Sequence, residues 1–178
     1  MNDSHPDAIA LVRRAQSGDR DAYAALFDRF HQPVVGYLYH LVGERQAAED
    51  VAQDAFIRAY ERIGLLGPPW NFKGWIYRIA GNLAMNHLKR ERRLVESDEP
   101  ELMAEPPTTR RPSERRVVRG ELQQSVRRAL EGIPAPLRQA LVLREVNGLS
   151  YEEMADALSV SYDNARQLVH RAPHAVSG

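Results

Sequence analysis

On both sides of a proline-rich middle stretch, apolar residues in this chain return at steps of three and four, and nowhere alternate with period two over a useful length. Such spacing lines up one buried stripe per helix and gives a half-buried strand nothing to present, so the expected fold class is all-α. The clearest case runs from Trp70 to Arg93, WNFKGWIYRIAGNLAMNHLKRERR, where Phe72, Ile76, Ile79, Ala80 and Leu83 share one face. A second face of the same helix carries Arg78, Asn82, Asn86, Lys89 and Arg93, spaced by three or four residues. Cations hold phosphates, amides hydrogen-bond base edges, and aromatics such as Trp70, Phe72 and Trp75 stack on unpaired bases. The stretch is therefore a candidate nucleic-acid surface. A solvated helix whose aromatics are simply core fits the same pattern.

Upstream, Asp7 to Ala15 is a short amphipathic pattern closed by Ser17, Gly18 and Asp19. A second pattern buries Ala22, Leu26, Phe27 and Phe30, and Pro33 is expected to open a third helix carrying Val34, Tyr37, Leu38 and Leu41. Gly43 separates it from a longer helix over roughly Gln46 to Ile63, and Gly64 to Pro69 is expected to be a loop.

After Arg93 the composition changes. Glu96 to Ser113 holds four prolines and many charges, with only Leu102 and Met103 as large apolar residues. Such a segment buries too little to offset its ordering entropy, so 94–113 is expected to be a flexible linker between two helical domains, 1–93 and 114–178. Helical pattern resumes near Glu114 with Val118, Leu122, Val126, Ala129, Leu130 and Ile133. Pro134–Ala135–Pro136 breaks it, and Leu137 to Val146 forms the next helix, stopped by Asn147–Gly148. Ser150 to Glu153 is a capping-box pattern opening a short helix through Leu158. A tight turn at 159–161 then leads to a last helix, Tyr162 to Ala172, with Ala165, Leu168, Val169 and Ala172 inward. Asn164, Arg166, Gln167, His170 and Arg171 face out. Two short helices joined by a three-residue turn, the second bearing outward Asn, Arg and Gln, describe a helix-turn-helix; a helical hairpin with a polar face shares that pattern.

Hydrophobic residues at 43% and charged ones at 27% are the balance of a globular chain, but the formal net charge is zero, so nucleic-acid binding must use local patches. The absence of cysteine excludes a disulfide scaffold, a thiol nucleophile and a cysteine-held metal. The six histidines show no ligand spacing, and no glycine-rich phosphate loop or serine elbow appears, so neither an enzyme nor a cofactor is expected. No apolar run approaches the roughly 20 residues that span a bilayer, and a cytoplasmic location without membrane insertion is expected.

Together the halves resemble the bacterial sigma factors of the extracytoplasmic-function class, of the sigma-70 superfamily, which keep two of the conserved sigma domains. The quoted matches are AAEDVAQDAFIRAYERI (47–63), NFKGWIYRIAGNLAMNHLKR (71–90), IPAPLRQALVLREVNGLSYEEMADALSVS (133–161) and the terminal Arg171–Ala172. The resemblance implies sigma region 2 in the first domain and sigma region 4 in the second. It implies core RNA polymerase (β′ coiled-coil and β flap), promoter DNA and an anti-sigma factor as partners. Asp50, Gln53 and Asp54 fall on the motif that docks on the β′ coiled-coil. Asn71, Phe72 and Lys73 fall in the loop that receives −10 bases, and Asn82, Asn86, Lys89 and Arg90 along the −10 recognition helix, with Arg78 on the same ridge. Arg166, Gln167, His170 and Arg171 fall on the −35 recognition helix, with Asn164 on its outward face. Trp75 and Ile79 are assigned to the core.

Three departures stand out. Asn86 occupies a position where many relatives carry Asp. Leu168 replaces a frequent arginine, and Asp163 opposes phosphate, so −35 specificity is expected to be unusual. Pro173 follows Ala172 where relatives continue with basic helix, and is expected to end the helix there. The alternative is a stand-alone helix-turn-helix regulator binding duplex DNA as a homodimer, which would need an apolar seam; no heptad seam is present in the sequence.

Overall fold

A computed structural model describes residues 6–96, 128–130 and 132–175. Those residues form helices and turns with no strand among them. The first half holds α1 (Pro6–Gln16), α2 (Arg20–Val42), α3 (Arg45–Arg62), a 3-10 turn at Ile63–Leu65 and α4 (Phe72–Glu96). The second holds a helical piece at 128–130, α5 (Ala135–Leu141), α6 (Tyr151–Leu158) and α7 (Tyr162–Ala175).

The ends of these helices follow local chemistry. Asp19 caps α2 by accepting from the Ala22 N–H at 3.1 Å, and Gly18 before it sits at φ +91°, a conformation open to glycine. Gly43, at φ +82°, closes α2. Glu44 opens α3, accepting from the Gln46 and Ala47 N–H groups at 2.8 and 2.7 Å. The capping box at α6 is complete: Ser150 Oγ accepts from Glu153 N at 3.1 Å, and Glu153 Oε2 accepts from Ser150 N at 2.8 Å.

Several expectations need correction. Pro33 does not open a helix; α2 runs through it for 23 residues. One backbone hydrogen bond is lost there, but Phe30, Val34, Val35 and Leu38 on either side are all buried, and packing of that stripe outweighs the local cost. Similarly α7 passes Pro173 and continues to Ala175. A proline two residues before the last position removes a single hydrogen bond with almost no helix beyond it to depend on that bond. The helix expected over Leu137 to Val146 is α-helical only to Leu141, and Val142–Val146 winds as a wider π-turn. Helix α4 runs on to Glu96, past the boundary expected at Arg93. The rest of the expected linker, and most of the helix expected from Glu114, lie outside the described residues.

Helices α1 to α4 form a bundle around Leu26, Val34, Leu38, Ala52, Phe56 and Ile76, each 3% exposed or less. An aromatic chain ties α2, α3 and α4 together, with Phe27 on Phe56 at 5.0 Å between centroids, Phe30 on Phe72 at 5.4 Å and Tyr23 on Phe72 at 6.4 Å. In the second half α5 and α6 both pack on α7, closing over Ala140, Leu143, Met154 and Ala165. The buried residues of the two halves form one continuous cluster, because α6 lies directly along α4.

Candidate nucleic-acid interface

On α3, Asp50, Gln53 and Asp54 are all exposed on one face, and Asp50 is held by Gln46 Nε2 at 3.1 Å. On α4, Asn82, Asn86, Lys89 and Arg90 are exposed and Arg78 is half-buried, so the polar ridge inferred from spacing exists as a surface. Opposite it, Ile76, Ala80 and Ala84 are fully buried, with Ile79 and Trp75 partly buried against the core. On α7, Asn164, Arg166, Gln167, His170 and Arg171 are all exposed while Ala165 and Ala172 are buried. Ser161 Oγ caps this helix on Asn164 N at 3.2 Å, and Ser159 takes φ +55° in the turn before it. Asp163 lies in the first turn of α7, where a carboxylate is favoured by the helix dipole. That gives the departure from the family pattern a structural benefit whatever it does to DNA.

The start of α4 is different. Phe72 is 1% exposed and Lys73 8%, so neither side chain lies on the surface in this arrangement. Asn71 is half-buried and engaged through both ends of its amide. Its Oδ1 caps α4 by accepting from Gly74 N at 3.0 Å, and its Nδ2 donates to Asp156 Oδ2 at 2.8 Å, from 85 residues away in the chain. Lys73 Nζ lies 3.6 Å from Glu153 Oε2, both residues buried. Just before, Trp70 takes φ +54°, a strained conformation for a bulky side chain, held by its N–H on Gly67 O at 2.8 Å and by Arg13 over its ring at 5.4 Å.

Further along the seam Asn147 Nδ2 donates to the Tyr77 hydroxyl at 3.0 Å and to Pro33 O at 3.1 Å, and Gln139 Nε2 donates to the Tyr37 hydroxyl at 3.5 Å. Burial pushes both tyrosine hydroxyls well above their ordinary pKa, so they stay protonated. The sequence reading missed all of these second-half groups, because each partner lies 70 to 114 residues distant in the chain. One signal was available. Gly74 and Gly81 are seven residues apart inside a long helix, where glycine costs roughly 0.5–1 kcal/mol against alanine. A Cβ at Gly74 would sit 2.6 Å from Asn71 Nδ2, 3.0 Å from Asp156 Cβ and 3.2 Å from Glu153 O; at Gly81 it would sit 2.8 Å from the Tyr37 hydroxyl and 3.2 Å from Gln139 Nε2. Both glycines mark close approach along the seam.

Among the described residues no group of three or more His, Cys, Asp or Glu is placed to hold a metal, and no helix is long and apolar enough to cross a membrane. The surfaces are of the kind that bind macromolecules: an acidic and amide face on α3, an amide and cationic ridge on α4, and an outward cationic and amide face on the second helix of a helix-turn-helix.

Comparison with known proteins supplies the family. Residues 26–94 match Sigma-70 region 2 and residues 123–172 match Sigma-70, region 4. The chain belongs to the sigma-70 family, in its extracytoplasmic-function class, a family of non-enzymatic DNA-recognition subunits that bind core RNA polymerase and promoter DNA. It is 36% identical over 173 residues to the RNA polymerase sigma-H factor of Pseudomonas aeruginosa, covering 93% of this chain and 90% of that one. It is 35% identical over 184 residues to the ECF RNA polymerase sigma-E factor of Escherichia coli, covering 99% and 95%. Among solved structures, CnrH in complex with the cytosolic domain of CnrY shares the fold with a TM-score of 0.72 at 22% identity, over 96% of this chain and 95% of that one. The sigma factor RpoE in complex with the anti-sigma factor NepR from Bartonella quintana does so with a TM-score of 0.65 at 23% identity, over 87% and 94%.

Proposed function

We propose that this sigma factor directs promoter-specific initiation by dividing recognition between its halves: α4 reads the −10 element as a single strand, and α7 reads the −35 element as duplex. The observation that carries the proposal is the pair of exposed polar faces on α4 and α7, each backed by a buried apolar stripe. Asn82 and Asn86 offer amides to base edges, and Lys89 and Arg90 offer charge to phosphate. Extruding a base costs a few kcal/mol, which stacking and polar contacts along α4 would offset. The major groove accepts one helix, and Arg166 and Gln167 suit bidentate contacts to guanine and adenine. Asp50, Gln53 and Asp54 form the docking face for the polymerase β′ coiled-coil, with the second half engaging the β flap. The solved RpoE structure named above carries the anti-sigma factor NepR, and an anti-sigma factor is proposed as the cytoplasmic regulator of this one.

The test is transcription by core polymerase with this protein, on promoters altered in one element at a time. Loss on changing either element, with no transcription from the polymerase alone, is expected. Activity indifferent to both elements, or tight palindromic duplex binding without polymerase, would overturn the reading in favour of a homodimeric regulator.

A further inference from the structure

We propose that α1 sets −10 selectivity from behind the reading surface: Arg13 and Gln16 fix the shape of the turn that delivers Asn71, Phe72 and Lys73 to the start of α4, without touching DNA themselves. The proposal rests on the −10 assignment made above. Arg13 and Gln16 lie on one side of α1, three residues apart, while Val12 and Ala15 on the neighbouring face are buried in the bundle. Arg13 is exposed and Gln16 half-buried, so α1 is anchored by its apolar residues and free to use these two on the loop.

Gln16 Nε2 donates to Ile63 O at 2.9 Å and to Leu66 O at 2.7 Å, which spends both N–H groups of its amide on backbone. These carbonyls lie where the chain leaves α3, at the 3-10 turn, and carbonyls at a helix end lack partners of their own. Gln16 therefore pins one end of the loop. At the other end of the exposed Gly67–Pro69 stretch, Trp70 holds φ +54°, a conformation that persists in a bulky residue only where its surroundings enforce it. Its N–H is held on Gly67 O at 2.8 Å, and the Arg13 guanidinium lies over its ring at 5.4 Å, within cation–π range. Trp70 O in turn accepts from Phe72 N at 2.9 Å, so the shape of this turn passes directly into the first residue of α4. Without Gln16 or Arg13 the turn can relax, and Asn71 to Lys73 then meet a base from a different direction. An exposed arginine could instead hold a phosphate. That would weaken binding to every sequence alike and enter the salt dependence, whereas a positioning contact changes the ranking of bases.

The test uses Arg13→Ala and Gln16→Leu, with Asn82→Ala alongside, in transcription by core polymerase from promoters changed one −10 base at a time and at several salt concentrations. In both α1 variants the preference for the best −10 base should fall by about tenfold, the size of one base contact. The −35 preference, the affinity for core polymerase and the salt slope should keep their wild-type values. Lost stability alone would lower transcription from all promoters together and leave that ratio unchanged. Arg13 is exposed, so its variant keeps the test open if Gln16→Leu misfolds. Trp70→Gly removes the ring and accepts the left-handed backbone, so adding Arg13→Ala to it should change −10 selectivity no further. Wild-type selectivity in Arg13→Ala, with Asn82→Ala relaxed, would overturn this inference and leave the −10 assignment standing. Uniform weakening with a shallower salt slope would overturn it in favour of a phosphate contact. Unchanged −10 selectivity in all three variants would overturn the −10 assignment and this inference with it.

Discussion

The two faces proposed to read bases in this sigma factor stand in opposite states. On α7 every outward candidate, from Asn164 to Arg171, is open to solvent, and the helix is positioned by its own neighbours: a Ser161 cap, a left-handed Ser159 and a buried Ala165. At the start of α4 the candidates are spoken for, Lys73 by Glu153 and Asn71 by Asp156 and by the cap of its own helix. The difference lies in how each face is built. One rests on contacts within a short span of sequence and is complete wherever its half folds; the other sits at a junction, so its availability depends on where the second half lies.

The largest effect is expected from a residue that takes part in neither face. Asp54→Arg places a cation on the exposed α3 surface and should lower affinity for core polymerase by about 2–5 kcal/mol while helical content is retained. A titration against core polymerase alongside circular dichroism decides it, and unchanged affinity would remove α3 from the docking surface.

Next come the two faces themselves. Arg166→Ala should cost about 1–3 kcal/mol at one −35 base pair and leave the −10 preference alone. Asn82→Ala should relax selectivity at one −10 base and leave −35 recognition unchanged. Transcription from promoter sets altered in a single element separates the two. Identical profiles for both variants would break the comparison at its root.

Gly74→Ala sharpens the contrast between a face and a junction. The added methyl meets Asn71 Nδ2 at 2.6 Å, displacing the amide that donates to Asp156, and meets Asp156 Cβ and Glu153 O across the seam; overpacking of this kind costs about 1–3 kcal/mol. Opening the halves relieves the part of it that lies across the seam and frees the Asn71 side chain to move, so faster amide exchange in α6 is expected with little change in the α1–α3 bundle. Slower or unaltered exchange in α6 would mean that the seam accommodates the methyl.

A smaller loss is expected from Ser150→Ala. It removes half of the capping box of α6 and should cost about 1 kcal/mol, a fall of roughly 2–4 °C in Tm by calorimetry. The smallest effect concerns pH. Burial holds the His40 imidazole below its ordinary range. The folded state therefore binds a proton less readily than the unfolded chain, whose histidine titrates near 6.5. The contribution is complete above that pH and is lost as pH falls toward the lower folded value. His40→Leu should flatten the fall in stability between about pH 7.5 and 5.5 in denaturant titrations, relative to wild type.

Much of this molecule was legible without coordinates. The period of the apolar residues determined an all-helical chain, and Gly43, Asn147–Gly148 and the Ser150 to Glu153 box marked where helices stop and start, because those signals act within one turn of backbone. The outward faces of α4 and α7 followed from the same spacing. Pro33 and Pro173 misled because a proline's local cost is modest beside the burial of a continuous stripe in α2, and at the end of α7 it removes one hydrogen bond with almost no helix beyond it. What only the tertiary structure decided is the seam. Nothing local to Lys73 names Glu153 as its partner, and nothing local to Asn71 names Asp156, 85 residues away. Gly74 and Gly81 hinted that something approaches α4 closely, but a missing side chain does not say what fills its place. Pairing across that distance is set by how two amphipathic units share their remaining apolar surface, a property of their shapes once folded.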